Sequence, residues 1–178
     1  MRKLFAYILV IAGLIVIGIG VYLGTSQYMN EKKTEQRAAD ALIRMQEMIP
    51  ERTYRRIYDD GKGSEMPVME INGLSFVGYI EIPDAEITFA LQNKWGDPSA
   101  AKLKEGNITY GTGVIETGQI PFDAVGLGTT VAFTDINGNV YEFVVDYVGN
   151  ESDIVQNAKL ILLDEGMSRV IQIACIEK

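Results

Sequence analysis

The chain has no histidine among its 178 residues, which removes the side chain that most often moves protons near neutral pH. Its single cysteine excludes an intrachain disulfide, so the fold must stand on packing. The two shortages together rule out a zinc shell and leave only carboxylate sites for hard cations, so neither metal nor cofactor is expected. Positive charge is also scarce, with 16 Lys and Arg against 24 Asp and Glu for a net charge of −8. No basic face interleaved with aromatics breaks that pattern, and nucleic-acid binding is set aside.

What the chain does have begins with a long apolar run. Leu4 to Leu23 carries no charge and is rich in Ile, Val, Leu and Gly. At 1.5 Å per residue it matches the ~30 Å hydrocarbon layer, so residues 1–27 read as a single-pass transmembrane anchor in contact with membrane lipid. A cleaved leader would have a shorter apolar core and a small-x-small site, where this chain has YLGTSQY. Arg2 and Lys3 flank one side and Lys32, Lys33 and Arg37 the other, a weak charge bias. The short N-terminal flank predicts that the C-terminal domain lies outside the cell.

Residues 28–73 read as a stalk. Ala38, Ala41, Leu42, Met45, Met48 and Ile49 recur at helical spacing on one face, and Pro50 should end the helix. The simplest role for such a stripe is to lie on the folded domain; a partner-binding or coiled-coil helix is the alternative. Glu51 to Asn72, punctuated by Gly61, Gly63 and Pro67, has no sustained period and predicts a loop-rich linker.

The domain, 74–178, is mostly β. LSFVGYIEIP predicts a strand ended by Pro83, EITFAL a second, and glycine-rich NITYGTGVIETG a strand with bends. FTDINGNVYEFVVDYV predicts a hairpin, because Asn137-Gly138 accommodates φ > 0 and Tyr141, Phe143, Val145 and Tyr147 then alternate with Glu142, Val144 and Asp146. Ser152 or Asp153 is placed to cap a short helix reaching Lys159, followed by strands over Leu160–Leu163 and Val170–Cys175.

Several motifs have plainer readings. GTGVIETG lacks the lysine and following helix of a phosphate loop. DINGN has its glycine fourth, where a calcium loop needs it sixth, and reads as a hairpin turn. Asn107-Ile108-Thr109 and Asn150-Glu151-Ser152 fit a glycosylation sequon that arises often by chance. Cys175, at the end of a β-branched apolar run, is a core residue or a nucleophile; an ordinary thiol of pKa about 8.5 is only about 3% thiolate at pH 7.

The order of the pieces LSFVGYIEIPDAEITFAL, Trp95, GVI, VAFTDINGNVYEFVV and terminal VIQIAC resembles the sortases, most nearly their class B branch. The resemblance covers about Leu74 to Cys175. It implies an extracytoplasmic cysteine transpeptidase on a closed eight-stranded β-barrel, cleaving a sorting-signal peptide and passing it to an amine of a cell-wall precursor or pilin. Cys175 then stands as the catalytic nucleophile, after Ile171, Gln172, Ile173 and Ala174 in place of a Thr-Leu-x-Thr strand. Two partners are missing. The family histidine segment reads Val114, Ile115, Glu116, Thr117, Gly118, and the arginine-bearing strand expected after the cysteine has no counterpart among the three residues that follow it. Arg169 lies about 20 Å away along a straight strand. The expectation is an incomplete barrel with an open edge and weak or lost chemistry, an alternative being a non-catalytic surface protein that binds a peptide or partner subunit.

Overall fold

Ten strands dominate the computed structural model, which describes residues 33, 36–49, 51–58, 65–93, 100–118, 120, 124–150, 157–165 and 170–178. The side chains of residues 150, 164, 165, 170 and 171 are not described. The chain divides into two units, Met1–Gln36 and Arg37–Lys178. The expected transmembrane segment falls outside the described residues, among which no helix is long and apolar enough to cross a membrane.

The strands are β1 Thr53–Tyr54, β2 Met69–Ile71, β3 Leu74–Ile82, β4 Ile87–Gln92, β5 Lys102–Glu105, β6 Gly113–Glu116, β7 Thr130–Asp135, β8 Asn139–Asn150, β9 Leu160–Glu165 and β10 Val170–Glu177. Eight of them form a ring in the order β3-β4-β5-β6-β9-β10-β8-β7, and β7 pairs back onto β3. The expected open edge is therefore corrected. The terminal strand pairs on both sides, Cys175 facing Val145 of β8 and Leu160 of β9, and no further strand is needed to close the ring. Two seams are parallel, β4–β5 through one residue pair and β6–β9 over four.

Period-two alternation turns Ile80, Ile82, Phe89, Leu91, Val131, Phe133, Phe143, Val145, Leu160, Leu162, Ile173 and Cys175 into one buried interior cluster. At Gly78, where β3 bulges and crosses β7, φ is +154° and an added Cβ would collide with the Thr134 carbonyl oxygen. Only glycine lets those two backbones approach so closely.

The segment read as a linker is part of the fold. Helix α1, residues 36–48, presses Ala41 and Met45 onto Phe76, Tyr79 and Ala90 on the outer face of the barrel, the apolar stripe lying on the domain as expected. Residues 51–58 then form a strap. Thr53 N–H donates to Gly138 O (2.8 Å), Arg55 N–H to Val140 O (2.8 Å) and Tyr58 N–H to Thr109 O (2.9 Å). Arg52 adds a two-armed ion pair with Glu81, at 3.0 and 3.1 Å, beneath which lies the Tyr79 ring.

The two Asn-Gly pairs behave differently. Asn72 and Gly73, at φ +54° and +78°, make the two-residue turn between β2 and β3, a signal the linker reading passed over. At the DINGN hairpin only Gly138 is left-handed (φ +81°), because the loop holds three residues. Asp135 sets that loop: its Oδ1 accepts from the amides of Asn137 (2.8 Å) and Asn139 (2.9 Å), and its Oδ2 from Asn139 Nδ2 (2.8 Å). The short helix proposed before Lys159 falls mostly outside the described residues, and residues 157–159 are not helical.

Candidate functional site

Cys175 does not stand at a barrel rim. It lies within β10, two residues before the strand ends, with no exposed surface and its side chain in the interior cluster. Burial pushes its thiol from an ordinary 9.0 up to about 12, since a thiolate there would sit among the Ile, Leu and Val side chains of the interior cluster. At pH 7 such a group is about 10⁻⁵ ionised.

Neighbouring candidates are committed elsewhere. Glu116, in the segment where the family resemblance expects a histidine, faces Lys102 across the β5–β6 ladder. It pairs with that residue at 3.2 Å and with Lys104 at 4.0 Å. Thr117 beside it is buried, and its N–H donates to Leu163 O (2.8 Å) across the parallel seam. Arg169 lies outside the described residues. Asn107 of the first sequon is buried, and its Oδ1 accepts from Thr109 N (2.9 Å) and Thr109 Oγ1 (2.7 Å), so both key residues of that sequon hold a turn.

No protein-family model and no curated protein matches the chain. Solved structures do. The chain is similar to sortases. Sortase C from Clostridium perfringens aligns at 16% identity and a TM-score of 0.46, over 58% of this chain and 70% of that one. Sortase A from Corynebacterium diphtheriae aligns at 12% and 0.49 over 59% and 61%, and sortase C1 from Streptococcus agalactiae at 15% and 0.47 over 61% and 70%. These neighbours are of classes A and C, whereas the segment order resembles class B. At such identities the likeness concerns the fold alone.

A polar surface that sequence reasoning missed lies where the strap meets the end of β10. Tyr54, Arg55, Arg56, Glu142, Glu177 and Lys178 line a groove of about 280 Å³. Arg55 Nε donates to Asn139 Oδ1 (3.2 Å), tying the strap to the Asp135 turn, and Ile57 N–H donates to Glu177 Oε1 (3.1 Å). Lys178 Nζ lies 3.5 Å from Glu142. The available signal was RTYRR, three arginines in five residues of an otherwise acidic chain.

Proposed function

We propose that this chain is a membrane-anchored, extracytoplasmic sortase-like barrel that has lost acyl-transfer chemistry and serves as a binding module at the cell surface. The observation that carries the reading is the burial of Cys175 inside a closed ring.

Acyl transfer requires a substrate carbonyl to reach sulfur, and the sulfur to be ionised or beside a base. Cys175 meets neither condition. Its Sγ lies behind the barrel wall, its thiol is held near 12, and no histidine exists to shuttle a proton, a role worth roughly 10²–10⁴ in rate.

Ring position supports the same conclusion. The family resemblance puts the nucleophile on the strand before an arginine-bearing last strand. Counting β3 as first, the eighth ring strand is β10 and the seventh is β9. β9 reads LILLDE and has no cysteine, and Arg169 immediately precedes β10. On this count Cys175 is an interior residue of the arginine strand. The nucleophile position falls on β9 and is empty of sulfur.

Anchoring rests on the uncharged Leu4–Leu23 stretch and its length. In the family, partners would be a sorting-signal peptide and a cell-wall or pilin amine; here a peptide or a partner subunit would be held without being cleaved. The test is incubation of the full-length chain with sorting-signal peptides and an amine acceptor. The expected result is no cleavage above buffer and no thioacyl adduct by mass spectrometry. Turnover that stops on Cys175→Ala would overturn the reading. External protease digesting the barrel in intact cells is the expected outcome for its location, and protection would contradict it.

A further inference from the structure

The strap carries a free strand edge. The N–H groups of residues 53, 55 and 57 point at the barrel and bond Gly138 O, Val140 O and Glu177 Oε1. Period-two alternation turns the N–H groups of Tyr54 and Arg56 the other way, because the parallel pairing with β8 takes the N–H groups of Thr53 and Arg55 on either side of Tyr54, and β1 is the last strand at this end of the sheet. Tyr54 and Arg56 are both exposed, Tyr54 by 68%. An edge of this kind is a template for another extended segment.

The side chains along it are cationic. Arg55 commits only its Nε, to Asn139, and Arg56 makes no ion pair among the described residues. Lys178 completes the groove. Two carboxylates share the surface, Glu142 beside Lys178 at 3.5 Å and Glu177 accepting from Ile57 N–H at 3.1 Å, so three cations face two engaged acids. Guanidinium forks match carboxylates in paired hydrogen bonds, and the exposed Tyr54 ring offers a flat apolar face beside them.

We infer that the outer edge of the strap binds an extended acidic peptide segment, adding it as a strand alongside Tyr54–Arg56 with its carboxylates on Arg55, Arg56 and Lys178. This deepens the binding-module reading by naming a surface and a ligand class, but it does not depend on the state of Cys175. An acidic peptide is favoured over a simple polyanion because the charge lies beside unpaired backbone groups that only another backbone satisfies.

The test uses the full-length chain in a non-ionic detergent and a fluorescent peptide of alternating Glu and Val, followed by anisotropy. Saturable binding is expected, weakened about tenfold by Arg56→Glu with Lys178→Glu. N-methylation of alternate peptide amides should abolish binding in one register and spare it in the other. Binding unchanged by the charge reversals, equal binding of both N-methylated peptides, or polyphosphate binding as tightly as the peptide would each overturn the inference. Cys175→Ala should leave the affinity unchanged. A negative result here leaves the inert-thiol reading standing, and peptide cleavage would sink that reading without touching this edge.

Discussion

The interior of the ring and the strap wrapped around its end hold their reactive groups in opposite ways. Inside, Cys175 is surrounded by Ile173, Leu160 and Val145, and its thiol is pushed to about 12. Outside, Arg55 and Arg56 follow the two-residue strand β1 in a strap fixed by a few backbone hydrogen bonds, with their charges in water. The interior gains stability by excluding water, roughly 25 cal/mol for each Å² of apolar surface removed, and disfavours the thiolate for the same reason. The strap adds little stability and keeps its groups available.

Substitutions sharpen that contrast, starting with the largest effect. Gly78→Val should cost about 4 kcal/mol or more, because a side chain at φ +154° meets the Thr134 carbonyl, and urea unfolding would register it as a large loss in midpoint. Met45→Ala on α1 should cost about 3 kcal/mol, since this residue is fully buried against the barrel; a midpoint unchanged by the mutation would make the helix a loose stalk.

Alkali should separate the two regions next. The Cys175 and Tyr141 groups are both raised to about 12 from ordinary values of 9.0 and 10.0, each chiefly by burial, with Asp135 adding to the effect on Tyr141. The folded state therefore holds these protons more tightly than the unfolded state. Their contribution to stability is complete below pH 9 and is lost as the pH rises through 12. For Cys175 the loss should reach about 2 kcal/mol near pH ~10.5, and Cys175→Ala should flatten that part of the slope in alkaline denaturation curves. The smallest effect belongs to the strap. Arg52→Ala breaks a half-exposed pair with Glu81 and should cost under about 1 kcal/mol, decreasing with added salt.

Legibility followed the same division. Elements carried by alternation were readable: β3, β4, β7, β8 and β10 coincide closely with apolar period-two runs ended by Pro83 or turned at Gly138. What escaped was set by tertiary pairing. The strap has no periodicity, and it is strand-like only because β8 extends past the end of β10 and offers Val140 O to Arg55. The open edge was inferred by matching Cys175 to the penultimate strand of the family. Local sequence cannot reveal that β10 would pair with both β8 and β9 and close the ring itself. The sequence left Cys175 open between core residue and nucleophile, since a short apolar run looks alike whether its last member faces a groove or the core.

The central claim is that Cys175 is walled off, and thiol labelling tests it most directly. The full-length chain in non-ionic detergent would be treated with a maleimide at neutral pH across a urea series. The account predicts negligible labelling of the native chain and a rate that rises only with global unfolding. Stoichiometric labelling within seconds in the absence of urea would contradict it.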